Sequence, residues 1–353
     1  MKKIKLGIVG CGGIFRCSHL SEILEHGDEF EIVAVCDVIK ERMNIEGIPG
    51  TVKKYENYID LVNDEEVEAV DICTPNYYHS VISVLALEKG KHVLCEKPDA
   101  VSVAEMKKMI DAEKRSGKVM MVMRNCRYLP ASKYFKNYVD SGGCGEIYCG
   151  KCGYLRRRGI PGKGGWFTTK ALSGGGPLVD LGVHMLDLAL YLMGNPKAVS
   201  VSGCTYNKFS ETTVSDSENS KFGDKKEDGI FDVEDLAMGF VRFENGACLQ
   251  LEFSWASNIE KEEFFVELRG TKSGIRFSSD DAKNVIWTER NGVLEDVYPK
   301  TVRKSGHGGV IKNFADAING KAKPDYTTEQ GMNIIKIFEG FYKSAETGKE
   351  ILL

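Results

Sequence analysis

The opening of the chain constrains its fold more than any other stretch. Ile4 to Val9 is a short apolar run that ends in glycines, as a buried parallel strand does. Gly10-Cys11-Gly12-Gly13-Ile14-Phe15 follows, and then a helix-like segment that ends at Gly27. Strand, glycine turn and helix in that order form a dinucleotide-binding context, because the glycines let backbone amides face a pyrophosphate at a helix N-terminus. Phe15 stands at the third position of that fingerprint, where Gly or Ala is usual. The next apolar strand, Glu31 to Cys36, ends in Asp37, about the expected distance on. An acidic residue there accepts hydrogen bonds from the adenosine ribose hydroxyls and repels a 2′-phosphate, which favours NAD over NADP. Arg42, a helical turn further on, is the residue that would favour NADP.

The alternation continues. Ala69 to Cys73 reads as a strand, followed by Thr74-Pro75-Asn76 and a helix to Gly90. His92 to Cys95 reads as a strand, followed by Glu96-Lys97-Pro98. Ser102 with Glu105 makes a capping box for a helix that Gly117 stops, and Val119 to Met123 is another strand. Short strands alternating with helices imply a doubly wound parallel sheet, an α/β first domain over residues 1–125. Ligands bind beyond the strand C-termini of such sheets, where Gly10, Asp37, Thr74, Glu96, Lys97 and Asn125 all fall. A tight turn at Lys97-Pro98 would aim the lysine into that crevice, and a cis bond there is expected.

From about residue 126 the pattern changes. A helix-like segment, Ala131 to Val139, leads to Gly142-Gly143. Strand-like runs follow at 146–157, 198–206, 236–243, 247–254, 263–269, 274–277 and 284–287, with an Asn245-Gly246 hairpin turn. They predict a second, α+β domain over residues 126–353: a large open, mostly antiparallel sheet with packed helices. Cys149 and Cys152 have redox or metal spacing, but they lie in a strand, where residues three apart point to opposite faces. Residues 208–235 are polar and acidic, with nine Asp/Glu against three Lys from Glu211 to Asp235, and read as a long solvated loop. Two amphipathic helices end the chain, one carrying Ile311, Phe314, Ala315 and Ile318, the other starting at Thr327 with Gln330 and stopping at Gly348. These C-terminal helices are available to pack back on the first domain.

Gly174-Gly175-Gly176 opens a second chemical stretch. Three glycines let backbone approach a ligand closely. The chain then runs into an apolar helix, Leu186 to Met193, that stops at Gly194-Asn195-Pro196. Asp180 and His184 are four apart, so on one helix they share a face. A capping Asp and a core histidine satisfy the same spacing.

Length and composition bound the rest. A chain of 353 residues holds two domains, and 42% hydrophobic with 28% charged residues and a net charge of −4 gives no footprint for nucleic acid or membrane. No apolar run reaches the length of a membrane span, and the N-terminus lacks a signal-peptide core. The 11 cysteines are odd in number, and Cys36, Cys73 and Cys95 lie in apolar strand-like runs. That usage suits a reducing compartment and hence the cytoplasm.

Taken together, Gly10-Cys11-Gly12-Gly13-Ile14, Asp37, Thr74-Pro75-Asn76 with His79, Glu96-Lys97-Pro98, and Gly174-Gly175-Gly176 with Asp180, Gly182, His184 and Asp187 resemble the glucose–fructose oxidoreductase/inositol dehydrogenase (Gfo/Idh/MocA) family. The resemblance covers essentially the whole chain. It implies an N-terminal Rossmann domain, a C-terminal open-sheet domain often used for oligomerisation, a tightly held nicotinamide cofactor, and sugar-like or polyol substrates. By motif it makes Lys97, Asp180 and His184 the catalytic triplet. It assigns Gly10, Gly12, Gly13, Ile14, Asp37, Thr74, Pro75, Asn76, His79, Glu96, Lys97, Asn125 and Trp166 to the cofactor. Tyr154 and Arg156 are substrate candidates, and no metal is implied. The Arg156-Arg157-Arg158-Gly159-Ile160-Pro161 segment departs from the family pattern.

Oxidising a carbinol requires loss of the hydroxyl proton as hydride leaves the same carbon. His184 suits the base, since imidazole titrates near neutrality. Lys97 can hold the oxygen as negative charge develops, and Asp180 can orient that lysine or a neighbouring hydroxyl and keep the lysine charged. The cofactor carries the hydride. Three other readings share these residues: an NAD-dependent glycosidase that oxidises transiently and shows no net NADH, a nucleotide-binding regulator without turnover, and a metal enzyme using Asp180, His184 and Asp187. An open second-domain sheet needs a cover. Alternating apolar Leu249, Leu251 and Phe253 point to a homodimer or homotetramer.

Overall fold

The computed structural model describes residues 2–302 and 304–353. In chain order the first half contains β1 (Ile4–Val9), α1 (Leu20–Glu25), β2 (Phe30–Cys36), β3 (Lys53–Tyr55), α2 (Tyr58–Asn63), β4 (Ala69–Ile72), α3 (Tyr77–Glu88), β5 (His92–Cys95), α4 (Val103–Ser116) and β6 (Met120–Val122). Then come α5 (Pro130–Asp140), β7 (Ile147–Leu155), α6 (Lys170–Ser173), α7 (Pro177–Asp180), α8 (Gly182–Leu192), β8 (Ala198–Tyr206), β9 (Leu236–Phe243) and β10 (Cys248–Ser254). The chain closes with β11 (Glu263–Gly270), β12 (Ser273–Ser278), β13 (Val285–Arg290), β14 (Val293–Val297), α9 (Gly306–Ile318), α10 (Thr328–Thr347) and β15 (Ile351–Leu352). Two compact units result: Met1–Arg124 with Gly306–Met332, and Asn125–Ser305 with Asn333–Leu353.

The first unit is a six-stranded sheet in the order β3-β2-β1-β4-β5-β6, parallel throughout. Its central strands β1, β4 and β5 are mostly buried on both faces, so they read as largely apolar runs without strict alternation. The strand order reverses between β1 and β4, the switch point where a crevice opens beyond the strand ends. Ser102 caps α4 by accepting the Glu105 amide at 3.2 Å, and Gly117 ends the helix at φ +62°. The expected capping box is only half present, because the Glu105 carboxylate turns instead to Ser80 and Lys108. Residues 306–332 complete this unit. Phe314 of α9 stacks on Phe30 at 6.4 Å between ring centroids, Lys312 pairs with Glu29 at 3.0 Å, and Tyr326 donates to Asp99, which also pairs with Arg124.

The second unit is a nine-stranded sheet in the order β14-β13-β12-β11-β7-β10-β9-β8-β15. Only β7 and β10 pair in parallel. Helix α8 packs on β7, β10 and β11. A Cβ at Gly182 would meet the Phe253 ring at 3.1 Å, so the glycine lets the start of α8 sit close on the sheet. Leu249, Leu251 and Phe253 are fully buried on that covered face. Burial is worth about 1.5–3 kcal/mol for each such side chain, so they belong to the core and do not form the open face expected of them. The opposite face of the same strands carries Met238, Phe240 and Phe265 among Glu252, Gln250, Lys151 and Glu267. Strands β3, β14 and β15 were not expected. β13 and β14 join through Asn291-Gly292, both at positive φ (54° and 76°), a two-residue hairpin of the primed type. Between β8 and β9 the acidic segment is irregular apart from a short 3₁₀ turn at Glu218–Lys221, and it is largely exposed until Val233, Glu234 and Asp235. Among the described residues no helix is long and apolar enough to cross a membrane.

Candidate active site

In the first unit the glycine turn follows β1. Gly10 has φ +94°, and a Cβ there would lie 2.5 Å from the Cys73 carbonyl oxygen, so only glycine lets the chain turn beside β4. A Cβ on Gly12 would meet nothing nearer than Arg42 Nη1 at 4.0 Å, which leaves space over the turn with a guanidinium at its edge. Gly13 is exposed and Ile14 half-buried where the helix begins. Phe15 is fully buried and opens a π-helical turn, Phe15–His19, that runs into α1. Asp37, at the end of β2, is buried. Its Oδ2 accepts the Cys11 amide at 2.9 Å and its Oδ1 the Ile39 amide at 2.8 Å. Each oxygen keeps a lone pair for a ribose hydroxyl.

Thr74, Pro75 and Asn76 link β4 to α3. The Thr74 hydroxyl is buried with no hydrogen-bond partner in the protein. His79 is fully buried, with Nδ1 at 2.6 Å from the Pro98 carbonyl and Nε2 at 2.9 Å from the Thr74 carbonyl. That geometry makes it a support for both turns, and burial pushes its pKa down. An open glycine turn, the carboxylate of Asp37 and an orphaned Thr74 hydroxyl fit a dinucleotide, and these residues would hold it.

Lys97 is half-buried and its bond to Pro98 is cis. Glu96, just before it, is buried, with Oε2 accepting the Lys97 amide at 3.0 Å and Oε1 at 2.9 Å from His19 Nε2. Burial alone would raise the Glu96 pKa. The His19 hydrogen bond and charge, with the charge of Lys97, outweigh burial and bring it down to about 2.

In the second unit the glycine run has a different use from the one its sequence suggests. A Cβ on Gly175 would lie 1.9 Å from the Tyr342 hydroxyl, and one on Gly176 2.1 Å from the Glu234 carbonyl oxygen. The glycines therefore admit protein rather than ligand. Buried Glu234 accepts the amides of Gly176 at 3.1 Å and Leu178 at 3.2 Å and the Tyr342 hydroxyl at 2.9 Å, so a carboxylate sits at the start of α7. Burial raises its pKa, against the pull of those hydrogen bonds.

Asp180 and His184 do not share one continuous helix. Asp180 ends α7, α8 begins at Gly182, and the His184 amide closes a tighter bond to Leu181 O at 3.1 Å. Asp180 Oδ2 accepts the Trp255 indole N–H at 2.9 Å. Trp255 is fully buried in a cluster with Ile160, Phe167 and Leu181, against which Tyr154 and Trp166 pack. His184 is the only residue from Gly175 to Leu190 that is not buried. Its Nδ1 lies 4.0 Å from Cys126 Sγ. Asp187 is buried in a two-pronged pair with Arg127, Nε to Oδ2 at 2.8 Å and Nη2 to Oδ1 at 2.6 Å. The structure therefore does not assemble Asp180, His184 and Asp187 as a metal-ligand set.

The other expected residues of this unit are near these groups or close to them in sequence. Trp166 stacks on Phe167 at 3.7 Å. The buried Arg156 guanidinium lies 5.2 Å from the Tyr154 ring and donates to Gly159 O at 3.1 Å, while its Nε is buried without a hydrogen-bond partner. Asn125 opens a 3₁₀ turn and its Oδ1 is likewise buried and unpartnered. His19, Arg127, Glu234 and Trp255 were missed from sequence. The available signal was a charged or polar residue inside an otherwise apolar run, as with Asp71 in β4 and Asp187 in α8.

Comparison with known proteins follows the same division. Residues 4–124 match the model of the oxidoreductase family with the NAD-binding Rossmann fold, and residues 132–276 match the GFO/IDH/MocA C-terminal domain. The chain is 31% identical over 353 residues to D-glucoside 3-dehydrogenase of Escherichia coli K12, covering 99% of this chain and 97% of that protein. A solved levoglucosan dehydrogenase in complex with NADH and levoglucosan has the same fold, with a TM-score of 0.84 at 23% identity over 99% of both chains. An NAD-binding protein from Listeria innocua superposes with a TM-score of 0.77 at 28% identity, over 99% of this chain and 97% of that one.

Proposed function

The chain belongs to the Gfo/Idh/MocA oxidoreductase family, and on that premise we propose that it moves a hydride between a nicotinamide and a carbinol or keto carbon of a sugar, glucoside or polyol. The observation that carries the reading is His184, the one residue from Gly175 to Leu190 that is not buried, four residues after a carboxylate fixed by an indole N–H. When bound, the nicotinamide accepts or returns the hydride. The Gly12 and Gly13 turn receives the pyrophosphate, Asp37 the adenosine ribose, and Thr74, Asn76, Asn125 and Trp166 the remainder. His184 takes the hydroxyl proton at Nε2, the nitrogen turned away from Cys126. Lys97 holds the oxygen as it gains negative charge. Asp180, pinned by Trp255, orients a neighbouring hydroxyl. Tyr154 and Arg156 supply a ring face and donors for sugar hydroxyls.

The cofactor is NAD rather than NADP. Asp37 repels a 2′-phosphate, and Arg42 beside Gly12 is the opposing group. Titration of both by calorimetry is expected to show NAD tighter by about tenfold, roughly 1.4 kcal/mol. Equal affinities would mean that Arg42 outweighs Asp37. The mixed apolar and charged face with Met238, Phe240 and Phe265 supports a homodimer or homotetramer, and the eleven free cysteines support a cytoplasmic setting.

The test of the reaction is NADH absorbance with purified protein, NAD and a panel of methyl glucosides, levoglucosan and inositols. Net NADH with at least one of them is expected. Glycoside cleavage without NADH would replace this reading with transient oxidation, and no turnover of any of them would remove it.

A further inference from the structure

His19 is fully buried at the end of the π-helical turn. Its Nδ1 lies 2.9 Å from Asp71 Oδ2 and its Nε2 2.9 Å from Glu96 Oε1. A neutral imidazole carries one N–H and one lone pair, so it can satisfy only one of two carboxylates that face it in the ring plane. An imidazolium satisfies both, through two charge-assisted hydrogen bonds. Glu96 passes the constraint on, because its second oxygen accepts the backbone N–H of Lys97 at 3.0 Å.

We propose that His19 is a positioning residue, an imidazolium clamped between Asp71 and Glu96 that fixes the Glu96-Lys97 backbone and so sets the point from which the Lys97 side chain reaches. This rests on the reading of Lys97 as the cation at the reacting oxygen.

The ionisable groups facing the ring agree with the assignment. Asp71 and Cys73 approach from the β4 end, Glu96 from the turn after β5, and His307 from α9 with its ring centroid 5.8 Å away. Burial works against a charged His19, but the charge and hydrogen bond of Asp71 together with the Cys73 sulfur outweigh it and hold the pKa well above that of a free imidazole. Cys73 stays a thiol, since burial pushes its pKa far up. Burial lowers the pKa of His307, which therefore stays neutral and leaves the proton on His19.

The first test is independent of the reaction. Of the 6 histidines in ¹⁵N-labelled full-length protein, one ring is expected to show two protonated nitrogens at pH 8.5 and not to titrate between pH 6 and 9. That signal should vanish in His19→Asn. In Asp71→Asn it should begin to titrate inside the window, because one of the two anions is gone. A neutral His19 ring at pH 8 would overturn the proposal. So would one equivalent of zinc or iron surviving dialysis against chelator, since His19, Glu96 and His307, or His19, Asp71 and Cys73, have ligand atoms within 4.8 Å of one another.

The second test uses kcat with NAD and methyl β-D-glucopyranoside as the probe. His19→Asn should lower kcat about 10- to 100-fold while leaving the NAD Kd within about threefold. In a Lys97→Ala background it should cost less than about threefold more, because the two changes remove one function. Additive losses would make His19 merely structural and overturn the proposal. If Lys97→Ala alone keeps wild-type kcat, or if the probe is not turned over, the reading of the reaction is what fails, and the ring protonation still decides His19. Should His19→Asn fail to fold, Asp71→Asn carries both readouts.

Discussion

In the first unit, Lys97 leaves a turn backed by full charges: Asp71, His19 and Glu96 in a row, each buried and each satisfied by the next. In the second, Asp180 and His184 leave a broken helix backed by dipoles and aromatic rings: an indole N–H on Asp180, backbone amides on Glu234, and an apolar cluster around Trp255. The difference follows from the task proposed for each side. A cation that must hold an oxygen in one place benefits from a stiff ionic mount whose charge state does not change near neutrality. A base that must gain and lose a proton is better served by neighbours whose charge does not follow its own.

The sharpest way to break this comparison is to remove each functional group. His184→Ala should lower kcat by about 10²–10⁴, the range for losing general acid–base catalysis, and the loss should shrink as pH rises and hydroxide replaces the base. Lys97→Ala should cost at least as much, and raising the pH should not rescue it. A pH–rate profile of both variants checks this, and identical profiles would erase the proposed division of labour.

A smaller effect concerns the buried Arg127–Asp187 ion pair on the helix that carries His184. Asp187→Ala should destabilise the protein by about 3–5 kcal/mol, because it removes the carboxylate that holds the buried Arg127 guanidinium by two hydrogen bonds. Replacing both with apolar residues should recover most of that in urea unfolding. A loss below about 1 kcal/mol would show that this pair is no part of the mount.

The smallest effect has opposite signs in the two units. The Glu96 pKa is depressed to about 2, so its stabilisation is present above the unfolded value near 4.5 and is lost as pH falls through the folded one. Glu234 is raised, so the folded state holds its proton more tightly. Its contribution is present below about 4.5 and is lost as pH rises through the folded value. Glu96→Gln should therefore flatten the acid side of the urea midpoint against pH, and Glu234→Gln the side above it. Matching slopes in both variants would mean that the two carboxylates sit in equivalent surroundings.

Much of the architecture was legible because it is written locally. The apolar strands of the first sheet, the glycine turn, Asp37, the Lys97-Pro98 turn and the Gly117 stop each lie within a few residues of the signal that marks them. The Asn291-Gly292 turn carries the same local signal, but the strand after it is short and exposes Val293 and Leu294, so no buried face marks it. The break at Leu181 carries no local signal, and the packing of Gly175 and Gly176 on Tyr342 and Glu234 was hidden because those partners lie far along the chain. The charge network was hidden for the same reason. Asp71 lies 52 residues and Glu96 77 residues from His19, and Asp187 lies 60 from Arg127. A carboxylate inside a buried strand announces that a partner exists without saying where.

Residues 306–332 belong to the unit that begins at the N-terminus, and this sets an order of events on the ribosome. When the first 124 residues have emerged, Phe30 lacks Phe314, Glu29 lacks Lys312 and Asp99 lacks Tyr326. The nascent sheet must wait, its flank uncovered, while nearly two hundred further residues are translated. At about 5–20 residues per second that wait lasts on the order of ten seconds or more. A stop codon before residue 306 would leave the nucleotide-binding half without this cover, however complete its six strands.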